Sequence, residues 1–376
     1  MTRPTLLVVT DSYLPRWDGV ARVLKEVLPL LGHAFEIHLA FPDYPGPRPE
    51  LPGVTYVPFP LLPILRTTNI GLPLPLRSRI TAEVRWADLV WTHTAAPIGG
   101  ACIREAVRSN TPVVSMIHSV EWAVYGQNFR FGKALAERTW RRMARARYNQ
   151  VQKIITPSST TKDALVSNGI IPPISVVPLG VSLSRFRPLS PEQKLPARAA
   201  LGLPTSLPLV GYLGRFSDEK GLTTLLEAHE LAQERWASEL VLVGGYPKQL
   251  RGLSRYRRVT VVEPTDEPEL YYQVMDLYVL PSQTESFPLG ILEAMACGVP
   301  PLSTPVGAVP TYLLSGENGV LFPSGDASAL AQILNELLPN PQLQRRLGEQ
   351  ARKTVEEGFS WEQAALRIEG HLKEVV

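Results

Sequence analysis

The chain is poor in the residues that build disulfide-linked or metal-rich proteins. Its 376 residues contain two cysteines, Cys102 and Cys297, and six histidines. The cysteines lie far apart in helical patterns among small residues. This placement predicts two buried thiols in a reducing cytoplasm, and neither a disulfide nor a metal site. No histidine–carboxylate cluster has the spacing of metal ligands and no Asp-x-Asp motif occurs, so no metal is indicated.

Long apolar runs are also absent. No run approaches the roughly 18 residues needed to cross a bilayer. The first apolar run is only Leu6 to Val9, without a small-residue cleavage site after it, so we interpret it as a buried strand and not a signal peptide. With 44% hydrophobic and 19% charged residues, the composition is that of a soluble globular protein, and we expect a cytoplasmic location. The length suits two domains.

Positive and negative residues nearly balance over the whole chain. The net charge of +3 is too small to indicate nucleic-acid binding. The segment Arg130–Lys153 differs, because it contains eight basic residues and one acid, Glu137, with aromatic and aliphatic residues between them. An ordinary amphipathic helix with a solvated basic face would explain this pattern. The alternative is a surface that binds an anionic membrane or an anionic substrate.

Short β-rich runs alternate with helical segments along the whole chain. The predicted strands are Thr5–Thr10, Glu36–Ala40, Val54–Val57, Leu89–Thr92, Val113–Ile117, Lys153–Thr156, Ser175–Val177, Pro208–Leu213, Glu239–Val243, Val259–Val262, Leu277–Leu280 and Pro300–Ser303. Strand–helix alternation predicts parallel, doubly wound sheets. Because it occurs on both sides of the proline-rich stretch Phe186–Pro208, which we interpret as a linker, we expect two Rossmann-like α/β domains facing a central cleft.

A helix that begins near Pro288 or Leu289 is predicted to bind a phosphate. Proline suits a first helical position, and the early amides of the helix, with Gly290 permitting close approach, favour an anion. Glu293, about one turn into the helix, suits the vicinal hydroxyls of a ribose. Glu285, on the preceding loop, would reach the other end of the ligand. The alternative is that Glu293 complements the helix dipole and Glu285 is a loop charge.

The stretch from Glu285 to Pro300 resembles the E-x7-E region of retaining glycosyltransferases of family 4, which have the GT-B fold. Four further segments resemble motifs of this family in the right order: Val177–Phe186, Gly211–Gly221, Gly316–Asp326 and Phe359–Trp361. The resemblance covers nearly the whole chain. It implies an acceptor-binding domain over 1–187, a nucleotide-sugar-binding domain over 188–357, and a helix over 358–376 that crosses back to the first domain.

The resemblance also implies donor-binding and catalytic residues. Arg215 and Lys220 would neutralise the diphosphate leaving group, and two cations near a strand end suit that task. Glu285 would bind hydroxyls of the donor sugar, and Glu293 would bind the ribose. Phosphate or sugar would also be held by three backbone amides, those of Phe287, Leu289 and Gly290. The expected donor is a nucleotide-diphosphate sugar that reacts with retention at the anomeric carbon. No cofactor is required, and a divalent metal is compatible but not implied.

In the first domain, the loop Asp11–Val20 resembles the family loop whose glycine approaches the phosphates. The matching residue is Gly19, and Asp18 stands where the family often has a second glycine. His118 resembles the family's active-site histidine and would orient the donor sugar or polarise the acceptor region. A structural, hydrogen-bonded histidine is the alternative. Contacts with the acceptor are assigned to Tyr13, Glu121 and Trp122, with packing as the alternative for Trp122.

Two proline-broken apolar segments, Val57–Leu65 and Ile70–Leu76, are either buried connections or an apolar surface near the acceptor. Together with Arg130–Lys153, they predict a peripheral enzyme on the inner face of a membrane that uses a lipid hydroxyl as acceptor. A looser likeness to family members that glycosylate diacylglycerol or phosphatidylinositol favours the same acceptor. The alternatives are a transferase for soluble glycans or polysaccharide precursors, a sugar-nucleotide 2-epimerase, and a non-catalytic binding protein on the same fold.

Overall fold

The computed structural model describes residues 3–16, 18–62, 71–122, 133–250 and 252–376. Contacts between Cα atoms divide the chain into two units. The first unit consists of Met1–Pro178 together with Trp361–Val376, and the second consists of Leu179–Ser360. Each unit is built around one parallel β-sheet.

The first unit has a seven-stranded sheet in the order β3-β2-β1-β4-β5-β6-β7, with all neighbours parallel. Its strands are β1 Thr5–Val9, β2 Glu36–Pro42, β3 Val54–Phe59, β4 Leu89–Thr92, β5 Val113–Met116, β6 Lys153–Thr156 and β7 Ile174–Val176. The second unit has a six-stranded parallel sheet in the order β10-β9-β8-β11-β12-β13. Its strands are β8 Leu209–Leu213, β9 Glu239–Val243, β10 Val259–Val262, β11 Leu277–Leu280, β12 Pro301–Ser303 and β13 Val320–Leu321.

Helices connect most of these strands, as parallel pairing requires. The helices of the described part of the chain are α1 Gly19–Leu31, α2 Arg77–Trp86, α3 Pro97–Ser109, α4 Lys133–Tyr148, α5 Ser159–Ser167, α6 Pro191–Ala200, α7 Leu222–Ala232, α8 Pro268–Val274, α9 Leu289–Ala296, α10 Ala327–Leu337, α11 Pro341–Gly358 and α12 Trp361–Lys373. The terminal helix α12 packs against α1 in the first unit. None of the described helices is long and apolar enough to cross a membrane.

The predicted fold class and every predicted strand are confirmed, with strand ends that differ by at most two residues. Both cysteines are free and buried, as expected. The proline-rich stretch predicted as a linker contains the helix α6, with Pro191 in its first turn and the side chain of Gln193 accepting a bond from the Ser190 amide at 3.0 Å. Proline in the first turn is compatible with a helix, and this explains why proline content alone misidentified the segment.

The order of the strands reverses at one place in each sheet. In the first sheet, β1 lies between β2 and β4, and in the second sheet β8 lies between β9 and β11. At such a point the connections after the two central strands leave toward opposite faces of the sheet, and a crevice opens at the carboxyl ends of the strands. The fold therefore marks the ends of β1 and β4, and the ends of β8 and β11, as places for ligands.

A half-buried carboxylate joins α6 to the amino-terminal edge of the second sheet. Asp276 accepts bonds from Lys194 Nζ at 2.8 Å, from Arg198 Nη2 at 2.6 Å and from the Leu209 amide at 2.8 Å. Burial by itself raises the pKa of Asp276, but the charges of Lys194 and Arg198 outweigh burial and hold the pKa below its usual 3.8. The ionised form is therefore the one that the folded unit stabilises.

We expect Asp276→Asn to lower the free energy of unfolding of the second unit by about 2–4 kcal/mol at pH 7, because two cations lose their carboxylate. A depressed folded pKa gives stability that is complete above about pH 4 and is lost as the pH falls through the folded value. The difference between wild type and variant should therefore shrink below about pH 4. Urea denaturation at several pH values measures this.

The matched control is Asp43→Asn, which breaks an exposed ion pair with Arg48. It should cost less than about 1 kcal/mol. An Asp276→Asn effect no larger than the control, or one that persists unchanged into acid, would contradict the role assigned to this carboxylate.

Candidate functional site

The loops after β8 and β11 lie side by side in the second unit. The amide of Gln283 donates to the carbonyl of Glu219 at 2.8 Å, and this bond links the two loops directly. Both loops leave the carboxyl edge of the sheet at the place where the strand order reverses. The predicted residues Arg215, Lys220 and Glu285 all lie on these loops.

Lys220 and Glu285 form an ion pair. Lys220 Nζ donates to Glu285 Oε1 at 2.7 Å, and the two side chains are only 17% and 14% exposed. Ser282 Oγ donates to the same carboxylate oxygen at 2.9 Å. Lys220 ends a short 3-10 turn, Asp218–Lys220, and Gly221 follows it as the N-cap of α7. The positive charge near this helix N-terminus is thus balanced by a carboxylate from the neighbouring loop.

Arg215 is held differently. Its side chain is 81% exposed, and its guanidinium is 4.0 Å from a carboxylate oxygen of Glu219. Glu219 in turn accepts a bond from Ser217 Oγ at 2.7 Å. Arg215 therefore presents an exposed charge, whereas Lys220 is already part of an ion pair.

The N-terminus of α9 is the helix start predicted from the sequence. The helix begins at Leu289, with Pro288 as its N-cap, and no side chain of the described residues caps it. Packing gives a second reason for glycine at position 290, and close approach of a ligand there stays a prediction. A Cβ at Gly290 would lie 2.6 Å from the hydroxyl of Tyr278 and 3.0 Å from that of Tyr272, so packing against two tyrosines requires glycine there.

Glu293 and Phe287 are both buried in the second unit. Glu293 is 2% exposed, so its carboxylate is enclosed within the first turns of α9 and does not stand at the mouth as expected. The ring of Phe287 packs near Tyr312 and Phe359, with ring centroids 5.5 and 6.5 Å apart. The side chain of Phe287 is structural, so only its backbone is a candidate for ligand contact. Ribose binding by Glu293 stays a prediction.

Two glycines allow the loops of this site to touch through their backbones. A Cβ at Gly221 would lie 2.1 Å from the carbonyl oxygen of Pro281. A Cβ at Gly307 would lie 2.3 Å from the carbonyl oxygen of Glu285. Both glycines have positive φ angles, 66° and 56°, which other residues seldom adopt. The loop that carries Glu285 is therefore positioned by two backbone contacts, at Gly221 and at Gly307, where a larger residue would not fit.

The first unit also gathers polar residues where its strand order reverses. Asp11, just after β1, accepts bonds from Thr94 Oγ1 at 2.5 Å and from the amides of Ile98 and Gly99 at 2.8 and 3.0 Å. Burial raises the pKa of Asp11, and these three bonds oppose the rise. The N-terminus of α3 is thus capped by a carboxylate from 87 residues earlier in the chain.

The N-terminus of α1 carries a second internal carboxylate. Asp18 accepts a bond from the Ala21 amide at 2.9 Å and another from the Ser12 hydroxyl. Gly19, the first residue of α1, is exposed, and a Cβ there would meet nothing within 4 Å. Among the described residues of the unit, none gives a packing reason for glycine at position 19, which is compatible with the predicted approach of a ligand.

His118 follows β5 and contacts a second histidine. His93 Nδ1 and His118 Nε2 are 2.9 Å apart, and the rings stack with centroids 5.2 Å apart. Burial lowers the pKa of His118 to about 4, although the charge of Asp18 opposes this. Burial also lowers the pKa of His93, and His118 adds to that effect. Both rings are neutral at pH 7, which suits hydrogen bonding better than proton donation.

The three residues assigned to the acceptor are more buried than expected. Glu121 is 8% exposed, and its Oε1 accepts a bond from Tyr148 Oη at 2.6 Å. Burial raises the pKa of Glu121 to about 7, although the bond from Tyr148 opposes the rise. Trp122 belongs to the hydrophobic core, and Tyr13 is enclosed by Phe41 and Tyr56. Packing explains Trp122 and Tyr13, so the structure gives neither of them an acceptor-facing surface.

Sequence reasoning missed several residues that organise these sites. The cap provided by Asp11, the Tyr148 bond to Glu121 and the close approach at Gly307 all join segments that are far apart in the chain. The one available signal was Asp11, a polar residue directly after a strand. Among the described residues, no group of three potential metal ligands occurs.

Comparison with known proteins places both units in one family. The model for glycosyltransferase family 4 matches residues 17–185, and the model for glycosyl transferases group 1 matches residues 193–354. A D-inositol 3-phosphate glycosyltransferase of Xylanimonas cellulosilytica is 35% identical over 51% of this chain and 49% of its own length. The chain thus spans about half the length of the first curated relatives it matches. A GDP-mannose-dependent alpha-mannosyltransferase of Corynebacterium glutamicum is 28% identical over 84% of this chain and 76% of its own length.

Solved structures resemble the chain over nearly its whole length. HepE of Anabaena, in complex with UDP-glucose, has a TM-score of 0.81 and 19% identity, and covers 99% of this chain and 100% of its own. Sucrose-phosphate synthase from Thermosynechococcus elongatus has a TM-score of 0.75 and 24% identity, with 98% of each chain covered. At these identities the likeness shows the fold alone, which is GT-B. With a family model matching each half in turn, the chain belongs to the glycosyltransferases of family 4.

Proposed function

We propose that this chain is an anomer-retaining hexosyltransferase that moves a sugar from a nucleotide-diphosphate donor to a hydroxyl of a membrane lipid. Residues 188–357 bind the donor in this proposal, and residues 1–187 bind the acceptor. The observation that carries it is the Lys220–Glu285 pair beside two helix N-termini, those of α7 and α9, that no side chain of the described residues caps. Amides at such helix ends, together with a cation, suit a diphosphate.

The contrast between the two units supports this division of roles. In the first unit, carboxylates of the chain itself already occupy the N-termini of α1 and α3, because Asp18 and Asp11 accept their amide bonds. A diphosphate there would face two negative charges. In the second unit the corresponding positions are held by Gly221 and Pro288, which bring no charge. This contrast supports a diphosphate site at the second unit.

The reaction requires charge stabilisation on the leaving group. As the bond between the anomeric carbon and the diphosphate breaks, negative charge grows on the phosphate oxygen, and Arg215 and Lys220 stabilise it. Glu285, held by Ser282 and by Lys220, accepts hydrogen bonds from hydroxyls of the donor sugar. The acceptor hydroxyl attacks from the face that the diphosphate leaves, so the phosphate oxygen takes its proton and the configuration is retained. His118, as a neutral imidazole, orients sugar or acceptor hydroxyls.

The donor base and sugar are open to direct test because similar proteins point to two donors. The mannosyltransferase of C. glutamicum is named for GDP-mannose, and HepE was solved with UDP-glucose. The relatives named for D-inositol 3-phosphate carry a hydroxyl-rich, phosphorylated acceptor in their name. These names supply the donors and acceptors for the experiments below.

A row of arginines on α4 supports a membrane surface as the partner of the first unit. Four exposed side chains recur at helical spacing and line a groove of about 620 Å³ that Asn149 and Asn168 also border: Arg138, Arg141, Arg142 and Arg145. Arginine binds phosphate groups through planar, forked donors. Of the predicted basic segment, residues 130–132 lie outside the described part of the chain.

The first unit also carries exposed leucines. Leu72, Leu74 and Leu76 are 40%, 38% and 37% exposed, and Leu135 on α4 is 71% exposed. Basic and apolar side chains together are typical of proteins that rest on anionic membranes. Residues 63–70 of the predicted apolar segments lie outside the described residues. The surface interpretation is thus supported by Ile70–Leu76 more than by Val57–Leu65, whose Val57 and Phe59 are buried.

Nucleoside diphosphate release tests the donor site. The purified chain is offered UDP-glucose, UDP-galactose, UDP-N-acetylglucosamine and GDP-mannose, with and without vesicles that contain diacylglycerol and anionic lipid. We expect release with one of these donors, and a fall in kcat/KM of about 10²- to 10³-fold in Lys220→Met and in Glu285→Gln. The control is Lys353→Met, an exposed lysine of α11 that should leave the rate unchanged. NMR of the product should show the donor's anomeric configuration.

If soluble sugars or inositol phosphate stimulate release as strongly as vesicles do, the proposal of a lipid acceptor is contradicted. Inversion at the anomeric carbon would contradict the retaining mechanism. Conversion of the donor without an acceptor would favour the epimerase alternative.

Discrimination between ribose and deoxyribose tests Glu293. We expect the wild type to bind UDP or GDP more tightly than the 2′-deoxy form, because a carboxylate that accepts the 2′-hydroxyl is left unpaired by the analogue. Glu293→Gln should reduce this preference, with a loss of about tenfold in affinity for the ribonucleotide. Calorimetry measures both constants. Glu239→Gln, a buried glutamate of β9 bonded to Thr260, is the matched control. An unchanged preference in Glu293→Gln would show that Glu293 is structural.

Vesicle binding tests the arginine row. Replacing Arg138, Arg141, Arg142 and Arg145 by glutamine should weaken binding to anionic vesicles by about 10²-fold or more, because each basic residue near such a surface contributes about 1 kcal/mol. Sedimentation at increasing salt measures this, and wild-type binding should weaken with salt. Arg345→Gln with Arg346→Gln, on exposed positions of α11, is the control. Equal binding of all three proteins would make the row an ordinary solvated helix face.

A further inference from the structure

Tyr212 places a buried hydroxyl under the loop that carries Arg215. Its ring belongs to β8 and is fully buried, and its hydroxyl donates to the carbonyl oxygen of Arg215 at 2.8 Å. Tyr212 therefore contacts the main chain of Arg215, a residue that is proposed to bind the diphosphate. Nothing in the E-x7-E or Arg–Lys motifs requires a tyrosine at this position.

The chain passes directly over this hydroxyl. A Cβ at Gly214 would lie 2.8 Å from Tyr212 Oη, and Gly214 has a φ of 155°. The amide of Gly214 donates to the carbonyl of Val243 at 2.9 Å. A Cβ at Gly244 would in turn lie 2.5 Å from the carbonyl oxygen of Gly214. The residue before Arg215 is thus held by β9 on one side and by the Tyr212 hydroxyl beneath.

The residue after Arg215 is held as well. A Cβ at Gly245 would lie 2.3 Å from the ring of Phe216, so the end of β9 packs flat on that ring. The rings of Tyr212 and Phe216 are 6.2 Å apart between centroids. The backbone of Arg215 is therefore fixed at both neighbours and at its own carbonyl, while its side chain is 81% exposed. The exposed guanidinium of Arg215 is thus attached to a segment of backbone that is held in place.

The hydroxyl also lies among the charges of the site. Burial raises the pKa of Tyr212, and Glu285 and Glu219 raise it further while Arg215 lowers it. The hydroxyl consequently keeps its proton and remains a donor at any physiological pH. Its available acceptor is the Arg215 carbonyl, and that bond cannot be exchanged for one to water because the ring is enclosed.

We propose that Tyr212 is a positioning residue for the donor site, whose hydroxyl fixes the backbone of Arg215 so that the guanidinium meets the diphosphate. This inference rests on the proposed role of Arg215. It assigns to Tyr212 no contact with substrate. Loss of the hydroxyl should leave the strand and its packing intact, because phenylalanine fills the same space, and should loosen the loop above it.

A double-mutant cycle tests the inference. Binding of UDP and of GDP is measured by calorimetry for the wild type, Tyr212→Phe, Arg215→Ala and the double variant. We expect Tyr212→Phe to weaken binding of the preferred nucleotide by about fivefold to tenfold in the wild type, and by less than about twofold when Arg215 is already alanine. A tyrosine that only stabilised the fold would show the same factor in both backgrounds.

Each outcome decides a separate claim. If neither nucleotide binds the wild type, or if Arg215→Ala changes nothing, the proposed donor site fails and the role of Tyr212 with it. If Arg215→Ala weakens binding but Tyr212→Phe has no effect, or the same effect in both backgrounds, the donor site stands and the positioning role is overturned.

A second measurement follows the loop directly. Trypsin cleaves after Arg215, and we expect faster cleavage at that bond in Tyr212→Phe than in the wild type, with slower cleavage when nucleotide is bound. Cleavage after Arg138 on α4 of the first unit, measured in the same digest, is the reference. An unchanged rate after Arg215 would overturn the proposal that the hydroxyl restrains this loop.

Discussion

The proposed donor site depends on close backbone contacts between loops, and at each contact at least one of the two residues is a glycine. Gly221 lies against the carbonyl of Pro281, Gly307 against that of Glu285, and Gly244 against that of Gly214. In each case a Cβ would come within about 2.5 Å of an oxygen, a distance that packed atoms do not adopt. These contacts bring the ends of β8, β9, β11 and β12 into one edge. The Lys220–Glu285 pair forms because the loops that bear it are already in contact.

Electrostatics then separates the tasks of the two units. The first unit uses its own carboxylates, Asp11 and Asp18, to satisfy helix N-termini. Its histidines His93 and His118 are neutral because burial lowers their pKa values. In the second unit the N-caps of α7 and α9 are a glycine and a proline, which carry no charge. Arg215 and Lys220 bring positive charge to the same loops. An anion is therefore favoured at the starts of α7 and α9 and disfavoured at the starts of α1 and α3. This asymmetry is what a donor site and a hydroxyl-acceptor site require.

Buried residues near the proposed site position its backbone and are not themselves proposed to contact the ligand. Tyr278 and Tyr272 lie under Gly290, and Tyr212 lies under Gly214 and the carbonyl of Arg215. The glycine at position 290, which the sequence analysis assigned to ligand approach, is also required by the tyrosines beneath it. Gly19 is the opposite case, since no described residue packs where its side chain would lie. Glycines at two helix starts thus have different explanations, and only side-chain packing distinguishes them.

The sequence by itself determined the strands, the two-sheet class, the start of the helix at Leu289 and the burial of both cysteines. Each of these follows from local patterns: continuous apolar runs, their alternation with helical periods, and proline in a first turn. Only the tertiary structure decided which strand ends adjoin, and therefore that Lys220 pairs with Glu285, that Asp11 caps a helix 87 residues later, and that Trp122 and Tyr13 belong to the core. The tertiary structure also decided the helix in the proline-rich stretch, because the half-buried Asp276 holds α6. Strand order and long-range packing leave no periodic trace in the sequence, since they arise from the fit of side chains far apart in the chain.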